Sequence, residues 1–175
     1  MKEILDESGF CFYISGLDIL ARYMLHVPEQ YPIILFAEKE VKVAISDILT
    51  EAKLLVVAPQ QVKELSSNTL YRLLEDAPVV LYPTDSFDFS VDGIAEIEKA
   101  FVDLYYAVTR NEYPLSIQEL VRIYENLLRT GGIDTKRMIR AASLRSIQYD
   151  IRFIAESRFI TDKAKKFEMI LREGQ

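Results

Sequence analysis

The sequence is poor in the residues that carry most protein chemistry. Its 175 residues include one cysteine, Cys11, and one histidine, His26. A lone cysteine excludes an internal disulfide framework and a cysteine metal site. Cys11 falls in a predicted strand and reads as a packing residue. His26 falls at the end of a predicted helix near a proline, where a cation would meet the helix dipole. A catalytic role would need a neighbouring partner for it, and spacing supplies none. Glycine is scarce as well, and no Gly-x-Gly occurs. That excludes a phosphate-cradling glycine-rich loop. Ser15-Gly16 does set a helix N-terminus after a strand, a geometry open to anions, but without further glycines. No apolar run approaches the ~20 residues of a membrane span. The first residues, M-K-E-I-L-D-E-S-G-F, put acids where a signal peptide needs basic and then apolar residues. The expectation is a cytoplasmic, reducing setting without membrane contact. No internal repeat or low-complexity segment is visible.

What the chain does have is apolar bulk and unevenly placed charge. Half of it is hydrophobic, enough for a sizeable core. The net charge is −6. Residues 1–109 hold 8 Lys/Arg and 18 Asp/Glu, net −10; residues 110–175 hold 13 and 9, net +4. The two halves could attract each other, or the basic half could meet an acidic partner or nucleic acid.

The apolar pattern organises the chain around residues 94–108. Ile94, Ile97, Phe101, Leu104 and Val108 recur at helical spacing, with Tyr105 widening the face. Asp92, Glu96, Lys99 and Asp103 fall on the opposite side. Asp92-Gly93 reads as a turn and a cap. Before this helix, strands alternate with helices. Strands are predicted at residues 11–14, 33–36, 54–58 and 79–82, and helices at 16–25, 40–50 and 60–75. Residues 84–91 alternate apolar and polar, a pattern open to an added edge strand. Ser15 is the expected cap of the first of these helices. After residue 108 only helices follow, capped by Ser116 and Asp134, then at residues 149–159, and from Thr161 or Asp162 onward. The fold class is therefore α/β: a short, mostly parallel four-stranded sheet with helices, followed by a C-terminal helical layer. Residues 1–108 form the α/β layer and 109–175 the helical layer, packed together as one domain.

Candidate functional groups are few. Glu38-Lys39-Glu40 and Glu51-Ala52-Lys53 flank strands, and a metal-dependent nuclease needs carboxylates and a lysine near such places. Neither lies in a strand with a second acid in register, so both read as solvated charges. Glu98 lies at the border of the central helix's apolar arc, where a carboxylate needs a partner; Arg137, Arg140 and Arg145 are the candidates. Lys136, Arg137, Arg140, Arg145 and Arg152 form a basic run, interrupted by Asp134, Asp150 and Glu156. It offers only a few phosphate contacts.

Four segments carry a resemblance: Y-I-S-G-L-D-I-L at 13–20, Y-P-I-I-L-F-A-E-K-E at 31–40, I-E-K-A-F-V-D-L-Y-Y at 97–106 and M-I-R-A-A-S-L-R at 138–145. In this order they resemble the C-terminal domain of AbiEi-like antitoxins of type IV toxin–antitoxin systems, over most of residues 11–155. The family's Glu-Lys followed by Val-Asp-Leu matches Glu98, Lys99, Val102, Asp103 and Leu104; its late arginine helix matches Arg140–Arg145 loosely. The resemblance implies a transcriptional regulator that antagonises a nucleotidyltransferase-type toxin. Family members usually carry an N-terminal winged helix, for which Met1–Ser8 leaves no room. The chain would then be a stand-alone relative, a natural split, or one whose DNA-reading domain is another protein. The expected function is a non-enzymatic, antitoxin-like protein-interaction domain with no cofactor. It would use Arg137, Arg140, Arg145 and Arg152 as contacts, with Glu98, Lys99 and Asp103 as structural polar groups. The alternatives are an atypical nuclease-like α/β enzyme, or DNA binding through the basic half.

Overall fold

A computed structural model describes residues 1–63, 77–156 and 162–173. The chain is mixed α/β. After a short helix α1 (Lys2–Ser8), strand β1 (Phe12–Ser15) leads into helix α2 (Leu17–Leu20), extended by a 3-10 turn, Ala21–Tyr23. Strand β2 (Ile33–Glu38), helix α3 (Lys42–Glu51) and strands β3 (Val56–Val57), β4 (Val79–Thr84), β5 (Ser90–Val91) and β6 (Ile94–Ala95) follow. Helices α4 (Ile97–Arg110), α5 (Ile117–Arg129), α6 (Thr135–Ser143), α7 (Gln148–Glu156) and α8 (Asp162–Glu173) complete it.

The six strands lie in the order β3-β4-β2-β1-β6-β5. The expected four-stranded, mostly parallel sheet is thus a six-stranded mixed one. β2 and β3 run parallel to β4, and β6 runs parallel to β1. β1 runs antiparallel to its neighbour β2. The two added strands come from Asp92-Gly93. Both residues have positive φ, at 50° and 73°. That conformation favours Asp-Gly and closes a two-residue hairpin between β5 and β6. The pair therefore makes a hairpin turn, not a helix cap. Ile94 belongs to β6, and the central helix starts three residues later, at Ile97.

Alternation along the strands builds two cores. Phe12, Ile14, Leu35, Ala37, Val79 and Leu81 face one side, where they meet Leu5 of α1 and Ile45 and Leu49 of α3. Tyr13, Ile34, Phe36, Val80 and Tyr82 face the other, towards α4 and the C-terminal helices. Helix α4 lies between that face and the helical layer. Phe101 packs on Tyr124 of α5, and Tyr105 on Phe167 of α8. The remaining predicted elements hold with shifted ends. The 16–25 helix is only α2 and its 3-10 turn, and the third strand shortens to Val56–Val57. Most of the predicted 60–75 helix, and the predicted helical residues 157–159, lie outside the described residues. Cys11 precedes β1 and is exposed, so it is not a packing residue. His26 is also exposed, in the loop after the 3-10 turn.

Candidate functional site: an ion cluster on an aromatic floor

Strand register sets the floor of the site. Tyr13 of β1 pairs with Phe36 of β2, which pairs with Tyr82 of β4. The three rings stand side by side on one face, with centroids 4.8 and 4.9 Å apart. Ser15 shares that face because it lies two residues beyond Tyr13.

Helix α4 lays its polar stripe on this floor. Lys99 and Asp103, four residues apart, are each 1% exposed. Of the polar stripe opposite the apolar face, Lys99 and Asp103 are therefore buried, because α4 is covered on both sides, while Glu96 is half-exposed. Lys99 Nζ lies 3.3 Å from Asp103 Oδ1 and 5.5 Å from the Tyr13 ring centre. Ser15 Oγ donates to Asp103 Oδ2 at 2.9 Å. Ser15 is thus not the cap of α2. Gly16 occupies that position with φ 73°, and a Cβ there would meet Ile34 Cδ1 at 2.7 Å. Glycine lets the backbone turn tightly while the serine side chain points to Asp103.

The third charge comes from beyond the end of α6. Arg145 Nε donates to Asp103 Oδ1 at 2.9 Å, and Nη2 donates to the Tyr13 hydroxyl at 2.6 Å. The guanidinium carbon sits 3.9 Å above the Phe36 ring, a cation–π contact in a desolvated setting. Burial lowers the Lys99 amine's pKa; Asp103 opposes that shift, Arg145 adds to it, and Asp88 exerts the smallest influence. Burial also pulls Arg145 down, but Asp103 and Tyr13 more than offset it, leaving its pKa raised. The Tyr13 hydroxyl is pushed up by burial and then by Asp103, so it stays protonated.

The other anticipated groups lie elsewhere. Glu98 Oε1 accepts the backbone N–H of Asp134 at 2.9 Å, and Arg137 Nε lies 3.9 Å from its Oε2. Of its three candidate partners, Arg137 is therefore the one that reaches it. Arg137 also pairs with Glu96 and covers the Phe89 ring. Arg140 and Arg152 are exposed. The basic run is thus no continuous row: Arg145 turns inward to Asp103, Arg137 pairs with Glu96 and Glu98 from a half-exposed position, and Arg140 and Arg152 face out. Lys39 pairs with Asp85 at the surface, and Glu51 and Lys53 are exposed. Among the described residues no group of three His, Cys, Asp or Glu side chains is placed to hold a metal. No helix among them is long and apolar enough to cross a membrane.

Beside the cluster, at the carboxyl ends of β3 and β4, lies a cavity of about 330 Å³, bordered by Tyr82, Tyr106, Asn111 and Arg145. Tyr82, Ser15 and the Tyr13–Phe36 pair were not anticipated as site residues. The period-two pattern of their strands does put each on a definite face, but not opposite which helix. No family model matches the chain, and no curated protein or solved structure matches it.

Proposed function

We propose that the chain is a non-enzymatic, antitoxin-like regulatory domain that acts in the cytoplasm by binding a protein, in the first place a nucleotidyltransferase-type toxin. One observation carries this reading. The four segments behind the AbiEi-like resemblance are far apart in sequence, yet each contributes to one buried cluster. Tyr13 and Ser15 come from the first, Phe36 from the second, Lys99 and Asp103 from the third, and Arg145 from the fourth. The resemblance therefore follows a single three-dimensional unit rather than four scattered matches. The unit is built to hold the sheet, α4 and the segment after α6 in fixed relation. Its groups are engaged with each other, as in a scaffold that presents a surface.

The surface proposed for contact is the outer side of α6 and α7. Arg140 and Leu144, four residues apart, share one helix side; Tyr149 and Arg152, three apart, share another. Leu144 and Tyr149 are 38% and 53% exposed. Two arginines around apolar groups fit an acidic protein partner with an apolar centre. Direct nucleic-acid binding by this half is expected to be weak, since Arg137 and Arg145 already face carboxylates. The test is co-expression with a nucleotidyltransferase-type toxin encoded in the same operon. Rescue of growth, and co-purification of the two chains, are expected. A toxin that stays fully active with the chain in excess would overturn the proposal, as would Mg²⁺-dependent cleavage of nucleic acid by the pure chain.

A further inference from the structure

The cavity at the carboxyl ends of β3 and β4 shares Leu144 with that protein-contact surface, but Arg140, Tyr149 and Arg152 are not among its lining residues. In sheets with parallel strands, ligands settle beyond those strand ends. Here Pro59 and Gln60 follow β3, and Tyr82 and Pro83 are the two residues before Thr84, the last of β4. The opposite wall comes from Tyr106 and Asn111 at the end of α4 and from Arg145 and Ser146 after α6.

Three features of the lining define what it can hold. The first is charge. Lys99 and Arg145 share the single carboxylate of Asp103, so the cluster holds two cations against one anion. Arg145 spends Nε on Asp103 and Nη2 on Tyr13; Nη1 has no hydrogen-bond partner among the described residues. Arg145 borders the cavity, so a guanidinium donor lies at its wall. An anion there would gain a charge-assisted hydrogen bond. The second is Tyr106, half-buried at the wall, which offers ring surface to a planar group; Tyr82, beside it, is itself buried against Phe36. The third is Asn111, whose amide both donates and accepts, as the edge of a heterocyclic base does. Its Oδ1 lies 3.4 Å from the Tyr82 hydroxyl, a long contact that leaves it open to a better partner.

We propose that this cavity binds a mononucleotide, with the phosphate on Arg145 and the base against Tyr82, Tyr106 and Asn111. At about 330 Å³ the space lies at the small end of the ~300–1,000 Å³ range of ligand pockets, which suits one nucleotide and not a dinucleotide. The site does not depend on the protein-binding reading, and either can fail alone.

Calorimetric titration of the whole chain with AMP, GMP, CMP and UMP tests it, with adenosine and inorganic phosphate as partial ligands. At least one mononucleotide is expected to bind with a Kd below about 1 mM, and each partial ligand at least about tenfold more weakly. Tyr106→Ala and Asn111→Leu should each weaken binding about tenfold or more. Gln60→Trp, an exposed position at the cavity wall, should block entry without touching the core, and so reports even if the other two variants misfold. The proposal is overturned if no mononucleotide binds up to about 10 mM. It is equally overturned if phosphate alone binds as tightly as the nucleotide, or if Gln60→Trp and the folded cavity variants bind like the wild type.

Discussion

Asp103 is the residue on which the buried cluster turns, since Lys99, Arg145 and Ser15 all converge on its two oxygens. Removing its charge leaves two buried cations facing each other. Asp103→Asn should therefore cost about 3–5 kcal/mol of stability, measured by urea unfolding. Lys99→Met should behave differently. Asp103 would keep Arg145 and Ser15, and the thioether would lie against Tyr13 and Phe36. The expected cost is below about 1 kcal/mol, or a small gain. The pH dependence has a definite sign. Burial lowers the Lys99 pKa from its usual 10.5, so between the folded and unfolded values the unfolded chain binds more protons. Wild-type stability from this group then rises with pH across that window. Any advantage of Lys99→Met should be largest at neutral pH and shrink as pH approaches 10.5. A Lys99→Met effect that stays constant over that range would contradict the buried amine. Helical spacing predicts that Lys99 and Asp103 share a face. It cannot show that a sheet covers that face. Glu98 was legible for the opposite reason: it borders the apolar arc, where a carboxylate must find a partner.

Helix α4 is an interior element, and that explains both what its sequence showed and what it hid. Its apolar stripe meets the helical layer through Phe101 and Tyr105, as the spacing implies. Phe101 is fully buried, so Phe101→Ala should cost about 3–5 kcal/mol. A denaturation midpoint equal to wild type would contradict its place against Tyr124. Caps were readable where polar side chains had no stronger partner. Ser116 Oγ accepts from Glu119 N–H at 3.1 Å, and Asp134 accepts from the N–H groups of Lys136 and Arg137. Ser15 was misread because its side chain stands on the sheet face towards Asp103, 88 residues away in sequence, and Gly16 takes the cap position. Asp134's pKa is lowered, chiefly by the backbone N–H of Arg137. Its support of α6 should therefore be full above the ordinary carboxyl value and fade as pH falls below it. Asp134→Ala should lower the melting temperature at pH 7 and make little difference at pH 2, as thermal melts at the two pH values would show.

Across the whole molecule, the order of layers was legible and the order of strands was not. Short apolar runs separated by helical patterns imply an α/β layer, and they occur where β1, β2, β3 and β4 form. Strand order depends on contacts between distant segments. The antiparallel β1–β2 pair follows a connection of α2, a 3-10 turn and a loop, and the β5–β6 hairpin a two-residue turn; the apolar pattern encodes the geometry of neither. The same limit governs charge. A basic half of net +4 on an acidic half of net −10 looks like a surface property. In the fold, however, part of it is engaged within the chain: Arg145 is buried on Asp103, and Arg137 pairs with Glu96 and Glu98. Arg140 and Arg152 remain at the surface, and the proposed contact rests on them. Reversing both, Arg140→Glu with Arg152→Glu, should leave stability within about 0.5 kcal/mol, since exposed charges away from special features contribute little. The same double change should abolish binding to an acidic protein partner, or slow association sharply as salt rises in the wild type. Reversing Arg145 instead should unfold the chain, because a glutamate there would face Asp103 across a buried gap. Surface plasmon resonance with the co-expressed toxin, alongside thermal melts, separates these outcomes. If the Arg140/Arg152 double variant binds as tightly as wild type, the contact surface lies elsewhere on the molecule. If it melts far below wild type, the two arginines are structural after all.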